Sequence, residues 1–185
     1  MKLYNKKGTL LKRFMSDFRE NCQMSVSWTT RDPRPNEENG REYHFKTKQE
    51  FEEVERKQGF LEVSDNYGRK YGTNKQQLSE IIEKGRICVL EVDVEAGQKI
   101  QAIWPKKTHF IFFSVKDIDT LRERMKKRGT KDDEIEKRLK KGEMELNELK
   151  RLDFYKEILN EDQELCYQEM VDYIATKYHG FEWKK

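Results

Sequence analysis

The sequence is poor in the residues that build disulfide frameworks and zinc sites. It contains three cysteines and three histidines in 185 residues, and Cys22, Cys88 and Cys166 lie far apart. An odd, scattered set of this kind favours a reducing compartment over a disulfide-bonded fold or a metal site. No apolar run approaches the length that crosses a bilayer, and the N-terminal residues lack the apolar stretch of a signal peptide. We therefore expect a cytoplasmic protein without a membrane partner.

An excess of charge of one sign is also absent. The chain has 38 lysines and arginines against 35 aspartates and glutamates, a net charge of +3. Because the two signs are interspersed, the charge pattern gives no indication of a nucleic-acid partner. The charged fraction of 39% and the hydrophobic fraction of 35% indicate a small core under a heavily solvated surface. Periodically spaced apolar residues and 11% aromatic residues favour a folded chain over disorder.

Apolar periodicity divides the chain into alternating helices and strands. Helices are predicted over 9–20, 47–57, from 73 to Gly85, after Asp93 up to Trp104, and over 117–127, 132–150 and 162–178; strands are predicted over 24–28, 42–46, 60–63, 69–72, 87–93, 110–113 and 155–160. The strands at 87–93 and 110–113 are nearly continuously apolar, as expected of parallel strands covered on both faces. Capping-box sequences begin two helices, at Thr47 and Thr73. The alternation predicts a three-layer α/β fold.

A basic loop follows the first predicted strand. In Ser27-Trp28-Thr29-Thr30-Arg31-Asp32-Pro33-Arg34, two guanidinium groups stand three residues apart at the exit of the strand. Open α/β sheets bind ligands at the carboxyl ends of their strands, and arginine forks suit phosphate. Taken alone, two solvated arginines in a proline-rich loop would be the simpler interpretation.

Further motifs follow this loop in a fixed order. They are Gly40-Arg41-Glu42-Tyr43, the lone Glu62, Tyr71-Gly72-Thr73 and Leu90-Glu91-Val92-Asp93. At these separations the series resembles the guanylate kinase family, from about Lys7 to Tyr178. The resemblance implies one domain over 1–185, a P-loop kinase core with an inserted small GMP-binding subdomain and a helical lid. It places the core at about 7–28, 86–120 and 151–180, the GMP-binding region at about 29–85 and the lid at about 121–150.

The resemblance assigns roles in binding GMP. The residues concerned are Ser27, Arg31, Arg34, Tyr43, Glu62, Tyr71, Thr73 and Asp93. The two arginines and two tyrosines would hold the phosphate. The glutamate would accept from the ring N–H and the exocyclic amine of guanine, a pair that adenine does not offer, and the serine and threonine would donate to the guanine carbonyl. Asp93 would hold the base or a magnesium ion. The alternatives are an exposed strand-end charge for Glu62 and core aromatics for Tyr43 and Tyr71.

The same resemblance identifies lid arginines that would close over the phosphates and neutralise charge during phosphoryl transfer. Arg124, Arg128 and Arg138 match, with Arg128 and Arg138 the best placed, whereas the neighbouring lysines are a solvated face. Asn160 matches an asparagine near adenine, and an ordinary helix N-cap is the alternative.

The ATP loop is the part of the pattern that departs most. Lys7-Gly8-Thr9 align with the end of the family's loop, so that Lys7 would reach the β- and γ-phosphates, with Gly8, Thr9 and Asn160 completing the ATP contacts. The family's loop glycines become Met1, Tyr4 and Lys6, and the preceding strand is missing. A missed upstream coding segment, a variant N-terminus and a loss of ATP binding are the explanations. Milder departures are Trp28, Glu95 in place of glutamine, and Val115-Lys116-Asp117 in place of a Pro-Pro-Ser turn.

The function implied is the reaction of ATP with GMP to give ADP and GDP, with Mg²⁺, in a monomer without a nucleic-acid partner. The alternative is a non-catalytic module of the same family that binds GMP or phosphorylated peptides. The degraded N-terminus favours that module. Glu62 and the complete set of lid arginines favour the enzyme, because a peptide binder has no use for guanine recognition or for transition-state charge.

Overall fold

The computed structural model of the chain describes residues 7–65 and 68–178. The chain forms two compact units. One combines the chain up to Phe18 with the chain from Lys107 onward, and the other runs from Arg19 to Lys106. In chain order the elements are α1 (Lys7–Asp17), β1 (Cys22–Met24), β2 (Trp28–Thr29), β3 (His44–Phe45), α2 (Lys48–Arg56), β4 (Phe60–Asp65), β5 (Lys70–Asn74), α3 (Lys75–Glu83), β6 (Ile87–Val89), α4 (Val94–Ile103), β7 (Phe110–Ser114), α5 (Ile118–Lys126), α6 (Asp132–Leu149), β8 (Tyr155–Leu159) and α7 (Gln163–Lys177).

The unit from Arg19 to Lys106 carries a parallel strand pair and a four-stranded sheet. β1 and β6 form the parallel pair. The sheet has the order β3-β2-β5-β4, in which β2 is parallel to β3 and antiparallel to β5. β4 and β5 form an antiparallel hairpin, with Val63 opposite Gly72 and Ser64 opposite Tyr71. This sheet carries several of the residues that the sequence assigns to GMP binding.

An aromatic pair packs against the hairpin. Phe51 of α2 is fully buried and stacks on Phe60 of β4, with ring centroids 4.4 Å apart. A Cβ atom at Gly72 would lie 2.9 Å from the ring of Phe60 and 3.1 Å from that of Phe51. Strand β5 therefore runs so close to the aromatic pair that residue 72 has no room for a side chain.

Helix starts in this unit follow capping chemistry, with one exception to the sequence prediction. The capping box at Thr47 is confirmed, since Thr47 and Glu50 satisfy each other's backbone N–H groups. The box predicted at Thr73 is wrong. Asn74 is the N-cap of α3 and accepts from the N–H of Gln77, while Thr73 lies inside β5 and directs its hydroxyl elsewhere. Gly85 follows α3 with φ of 70°, as the sequence predicted for a helix end.

The other unit is built on a parallel strand pair. β7 and β8 pair in parallel from Phe110 opposite Tyr155 to Ser114 opposite Leu159. The side chain of Ile158 is fully buried, and Phe112 and Phe113 are almost so. Helices α5 and α6 share a separate core, which consists of Val115, Leu121, Met125, Ile135 and Leu139 with Ile118 packed against it.

Helices α1 and α7 are joined by a polar clasp. The guanidinium of Arg13 lies 3.8 Å from the centroid of the Tyr167 ring and donates to both carboxylate oxygens of Glu164. The hydroxyl of the buried Tyr167 donates to Asp17 at 2.5 Å. The clasp holds the helix that begins at Lys7 against the last helix of the described chain.

Helices are mixed with strands, and three of the strand pairs are parallel, which confirms the α/β class. The bounds of two predicted strands, 24–28 and 87–93, need correction. The prediction of one strand over 24–28 is wrong, because the chain changes sheets there. The N–H of Ser25 donates to Val89 beyond the end of β1, and the carbonyl of Ser27 accepts from His44 in the other sheet. The strand predicted over 87–93 ends at Val89, and Asp93 caps α4 instead. Apolar periodicity does not record which partner a backbone pairs with. Within 7–65 and 68–178, none of the helices is long and apolar enough to span a bilayer.

Candidate functional site

Glu62 on β4 is a buried carboxylate that is only half satisfied. Its exposed fraction is 8%. Oε1 accepts a hydrogen bond of 2.8 Å from the hydroxyl of Thr73 on β5, whereas Oε2 is buried and has no hydrogen-bond partner among the described residues. Burial and the charge of Asp93 raise the pKa of Glu62, opposed by Thr73 and Lys99. Because a buried polar atom needs a partner, Oε2 suits a ligand that brings an N–H donor.

The side chains around Glu62 form what we call the polar face of the sheet. Side chains on a strand alternate between faces. The hydrogen bond between Glu62 and Thr73 puts these two on one face, and Tyr71, two residues before Thr73, shares it. Ser64 lies opposite Tyr71, and Thr29 lies opposite Tyr71 on the other neighbouring strand. The structure therefore brings together three of the residues that the sequence assigned to GMP, namely Glu62, Tyr71 and Thr73.

Arg31 adds a cation beside this face. Its exposed fraction is 7%, and its Nη1 donates to the carbonyl of Asp32 at 2.6 Å. Its guanidinium carbon lies 5.4 Å from the centroid of the Tyr43 ring. Burial lowers the pKa of Arg31, but hydrogen bonds and charges from Glu37 and Tyr71 raise it above its ordinary value overall. The rings of Tyr43 and Tyr71 meet edge to face at 5.7 Å, so the cation and two phenols form one cluster, as a phosphate site requires.

Glu37 completes the loop around Arg31, and the sequence analysis missed it. Its Oε2 lies 2.9 Å from Nη2 of Arg31, and the two side chains are 10% and 6% exposed. The same oxygen accepts from the backbone N–H of Arg34 at 2.8 Å. Burial raises the pKa of Glu37, but these hydrogen bonds lower it overall. A signal was available: a loop arginine that becomes buried needs a carboxylate, and Glu37 lies three residues after Arg34.

Four other residues of this unit were assigned to GMP, namely Ser27, Arg34, Tyr43 and Asp93. The side chain of Arg34 is exposed, and Ser27 is half-buried in the link between β1 and β2. Asp93 accepts from the N–H of Ala96 through Oδ1 at 3.0 Å as the N-cap of α4. Burial, Tyr71 and Glu91 raise the pKa of Tyr43. Glu91 therefore lies near the phenol of Tyr43, although the resemblance gave this residue of the Leu90–Asp93 motif no role.

Trp28, a departure from the family pattern, lies on the opposite face of the sheet. It is opposite Gly72 on β5 and His44 on β3. Its ring meets Phe60 edge to face at 5.6 Å, and Nζ of Lys46 lies 4.9 Å from its centroid. Because strand neighbours alternate, the large indole does not encroach on the polar face.

The lid arginines belong to the other unit. Nη2 of Arg124 donates to the carbonyl of Asn160 at 2.9 Å, and its Nη1 is buried without a hydrogen-bond partner in the part of the chain that the structure describes. Arg138 on α6 donates through Nε and Nη2 to Glu134, one turn earlier. Arg128 is exposed just after α5, before Gly129 with φ of 69°. The structure thus joins Arg124 to Asn160 and gives Arg138 a local partner.

Asn160 is not a helix N-cap, so that alternative is wrong. It is 2% exposed, and its N–H donates to Ser114 as an extension of the β7–β8 pair. Asp162 caps α7 by accepting from the N–H groups of Glu164 and Leu165. The buried position of Asn160 at the end of a parallel strand keeps the adenine-side assignment open.

The residues assigned to ATP start the first helix. Lys7, Gly8 and Thr9 form the first turn of α1, and the unpaired N–H groups of a helix N-terminus favour anions. Positions 1, 4 and 6, which align with the loop glycines, lie outside the described residues.

Over 7–65 and 68–178, no group of three or more His, Cys, Asp or Glu side chains could hold a metal ion. A magnesium ion carried on nucleotide phosphates needs only one or two protein carboxylates. Asp93, the carboxylate that the sequence assigned to this ion, is the N-cap of α4. The donor set therefore fits a nucleotide-borne ion and not a metal held by protein alone.

Comparisons with known proteins find one family. A family model described as guanylate kinase matches residues 5–177. The guanylate kinase of Clostridioides difficile (strain 630) is 34% identical over 172 residues, which cover 92% of this chain and 82% of that protein. Guanylate kinase 1 of Oryza sativa subsp. japonica is 32% identical over 171 residues. That match covers 91% of this chain, which spans 44% of the length of the rice protein.

A solved structure shows the fold. The crystal structure of guanylate kinase from Anaplasma phagocytophilum matches with a TM-score of 0.73 and covers 96% of this chain and 84% of that one. The two sequences are 23% identical, so this likeness concerns the fold alone. The kinase fold class expected from the sequence is thereby confirmed.

Proposed function

The chain belongs to the guanylate kinase family, and from this premise we propose that it transfers the γ-phosphoryl group of ATP to GMP, giving ADP and GDP. One observation supports the choice of acceptor most directly. Glu62 presents a buried carboxylate oxygen without a donor next to one that Thr73 already holds. Guanine brings two adjacent donors, the ring N–H and the exocyclic amine, whereas adenine brings an acceptor at the ring position. A buried site built for such donors rejects a base that leaves its polar atoms unpaired.

Thr73 donates its hydrogen bond to the carboxylate of Glu62. A hydroxyl has one proton, and that of Thr73 is donated to Oε1 of Glu62 at 2.8 Å. Thr73 therefore fixes the orientation of the carboxylate before the base arrives. We assign donation to the guanine carbonyl to Ser27, with Thr73 contributing only after its hydroxyl rotates. This refines the role that the resemblance implied for Thr73.

The phosphate of GMP would be held by the arginine and tyrosine cluster. Arg31 is already fixed by Glu37 and Asp32, so little side-chain entropy remains to be lost on binding. The hydroxyls of Tyr43 and Tyr71 would donate to phosphate oxygens. Arg34, which is exposed, would be recruited by the bound phosphate.

The donor side rests on the family relationship. ATP is the co-substrate of the proposed reaction, and the first turn of α1, from Lys7 to Thr9, would meet its phosphates, with Asn160 near adenine. Phosphoryl transfer is catalysed by positioning and by charge, so Arg124, Arg128 and Arg138 would neutralise negative charge. Mg²⁺, held on the protein side by Asp93, would supply further neutralisation of the phosphate charge. A monomer in the cytoplasm is the setting we propose.

The proposal is tested by turnover and by base selectivity together. ADP release from ATP would be measured with GMP, IMP and AMP, and the affinity for each monophosphate by calorimetry. We expect the order GMP, IMP, AMP, because IMP keeps the ring N–H but lacks the exocyclic amine. Glu62→Gln should remove most of the preference, roughly 10-fold to 100-fold in KM.

Glu53→Gln is the matched control, since Glu53 is an exposed carboxylate of the same unit paired with Lys57. Binding of GMP without turnover would favour the non-catalytic module over the enzyme. Equal affinity for GMP and AMP in the unmutated chain would contradict the proposed role of Glu62.

A further inference from the structure

We propose that Lys99 is a positioning residue for Glu62. Lys99 anchors the main chain of β4, the strand that carries Glu62, and in this way contributes to guanine selectivity. The inference rests on the proposed function, in which Glu62 reads the base. The family resemblance assigned no role to Lys99, and no motif in the sequence distinguishes it from the other lysines of the chain.

The geometry ties helix α4 to the strand that carries Glu62. Nζ of Lys99 donates to the backbone carbonyl of Val63 at 2.9 Å. This carbonyl belongs to the peptide unit between Val63 and Ser64, so the bond holds β4 at the residue that follows Glu62. Lys99 also donates to Glu95 at 2.8 Å, one helical turn earlier. The ammonium group thus has two hydrogen-bond partners, although the side chain of Lys99 is 43% exposed.

The electrostatic surroundings of Glu62 point the same way. The groups that act on its charge are the hydroxyl of Thr73 from β5, the carboxylate of Asp93 at the start of α4, and the ammonium of Lys99 farther along α4. Burial and Asp93 raise the pKa of Glu62, while Thr73 and Lys99 lower it. Lys99 is the basic group in this set. It favours the ionised carboxylate, and only that form accepts hydrogen bonds through both oxygens without a proton in the way.

Glu95 modifies the effect of Lys99 on the pKa of Glu62. It stands where the resemblance places a glutamine, and it neutralises part of the charge of Lys99 through their ion pair. Removing Lys99 and removing the charge of Glu95 should therefore act on Glu62 with opposite signs. The shift on removing Lys99 is the result that a merely structural lysine would not produce.

The experiment uses the full chain and three variants, Lys99→Met, Lys99→Arg and Glu95→Gln. The carboxyl group of Glu62 is titrated by carbon-13 NMR without nucleotide, and KM and kcat for GMP are measured as functions of pH. Lys99→Met should raise the pKa of Glu62 and move the acid limb of the GMP profile to higher pH. Near pH 6 it should raise KM roughly threefold to tenfold with a smaller change in kcat.

The other variants should behave differently. Lys99→Arg should restore most of the unmutated behaviour, because arginine keeps the charge and can donate to a carbonyl. Glu95→Gln should lower the pKa of Glu62. Lys57→Met is the matched control, because Lys57 forms a 2.8 Å pair with Glu53 one turn earlier in the same unit, and it should leave the titration of Glu62 unchanged.

The results separate this inference from the proposed function. If the pKa of Glu62 in the Lys99→Met variant equals that in the Lys57→Met control, the inference is overturned. If Lys99→Met does not fold, the opposite shift expected of Glu95→Gln still decides, and no shift there would also overturn it. If the unmutated chain fails to bind GMP, the proposed function fails, while the NMR titration without nucleotide still reports whether Lys99 acts on Glu62.

Discussion

At the scale of single residues, the most informative pair is Arg31 and Glu37. Both side chains are nearly buried, and their 2.9 Å contact coincides with the Glu37 hydrogen bond to the N–H of Arg34. An anion beside an arginine that is proposed to bind phosphate could act as a support or as a competitor for the phosphate. The hydrogen bond to the Arg34 backbone favours support, because it fixes the loop and does not merely neutralise the guanidinium.

Glu37→Gln tests which role holds. If Glu37 supports the loop, the Glu37→Gln variant should show a KM for GMP that is roughly tenfold higher. Its free energy of unfolding should be lower by about 1–3 kcal/mol. Steady-state kinetics and urea unfolding measure the two effects. Glu38→Gln is the control, since Glu38 is exposed and paired with Arg41 at the surface. A lower KM in Glu37→Gln would show that the carboxylate competes with the phosphate.

Gly72 matters for stability because it has no side chain. A Cβ atom there would stand 2.9 Å from the ring of Phe60, closer than carbon atoms approach. Gly72→Ala should therefore lower the free energy of unfolding by about 1–3 kcal/mol, because a buried ring must move. Thermal unfolding measures this, and the double variant with Phe60→Leu should recover part of the loss. An unchanged melting temperature would mean that the hairpin shifts without cost.

At the scale of elements, the junction of β5 and α3 separates two functions in neighbouring residues. Asn74 caps α3, whereas Thr73 holds Glu62. Asn74→Ala should cost about 1 kcal/mol of stability and leave base selectivity unchanged. Thr73→Val should do the reverse and reduce the preference for GMP over AMP. Unfolding curves and competition calorimetry on the two variants check the assignment, and the opposite distribution of effects would restore the predicted capping box at Thr73.

The same junction shows why a local pattern was not sufficient. Thr73-Asn74-Lys75-Gln76 satisfies the capping-box pattern as well as Thr47-Lys48-Gln49-Glu50 does. Only the second is a capping box in the structure. The hydroxyl of Thr73 has a better partner, a carboxylate from a strand eleven residues earlier, which no local window contains.

At the scale of the whole molecule, the site and the stability of the fold have opposing requirements for Glu62. Its folded-state pKa is raised, mainly by burial. The folded chain then binds more protons than the unfolded chain between the ordinary and the raised pKa, so this group lowers stability as pH rises through that window. The carboxylate is retained at a cost to stability that the proposed ligand would offset.

Glu62→Gln should therefore stabilise the nucleotide-free protein near pH 7 while weakening GMP selectivity, since a neutral amide costs less to bury than a charge. The stabilisation should shrink as pH falls through the window between the raised pKa and the ordinary glutamate pKa of about 4.3, below which Glu62 is protonated in both states. Melting temperatures of both proteins across pH check this. Glu37, whose pKa is lowered, contributes in the opposite sense, with stability present at neutral pH and lost on acidification. A Glu62→Gln variant that is less stable at every pH would contradict the argument.

The sequence by itself determined the family, the α/β class and nearly every helix, because motif order and apolar periodicity are properties of the chain taken one segment at a time. It also selected Arg31, Glu62 and Tyr71, since phosphate and guanine call for those chemical groups. The division into core, GMP-binding region and lid stays a prediction. Only the tertiary structure decided that Glu37 holds the arginine loop, that Thr73 serves Glu62 and not a helix end, and that Lys99 reaches the strand of Glu62. Each of these depends on which groups come within about 3 Å of one another in the folded chain, and spacing along the sequence does not contain that distance.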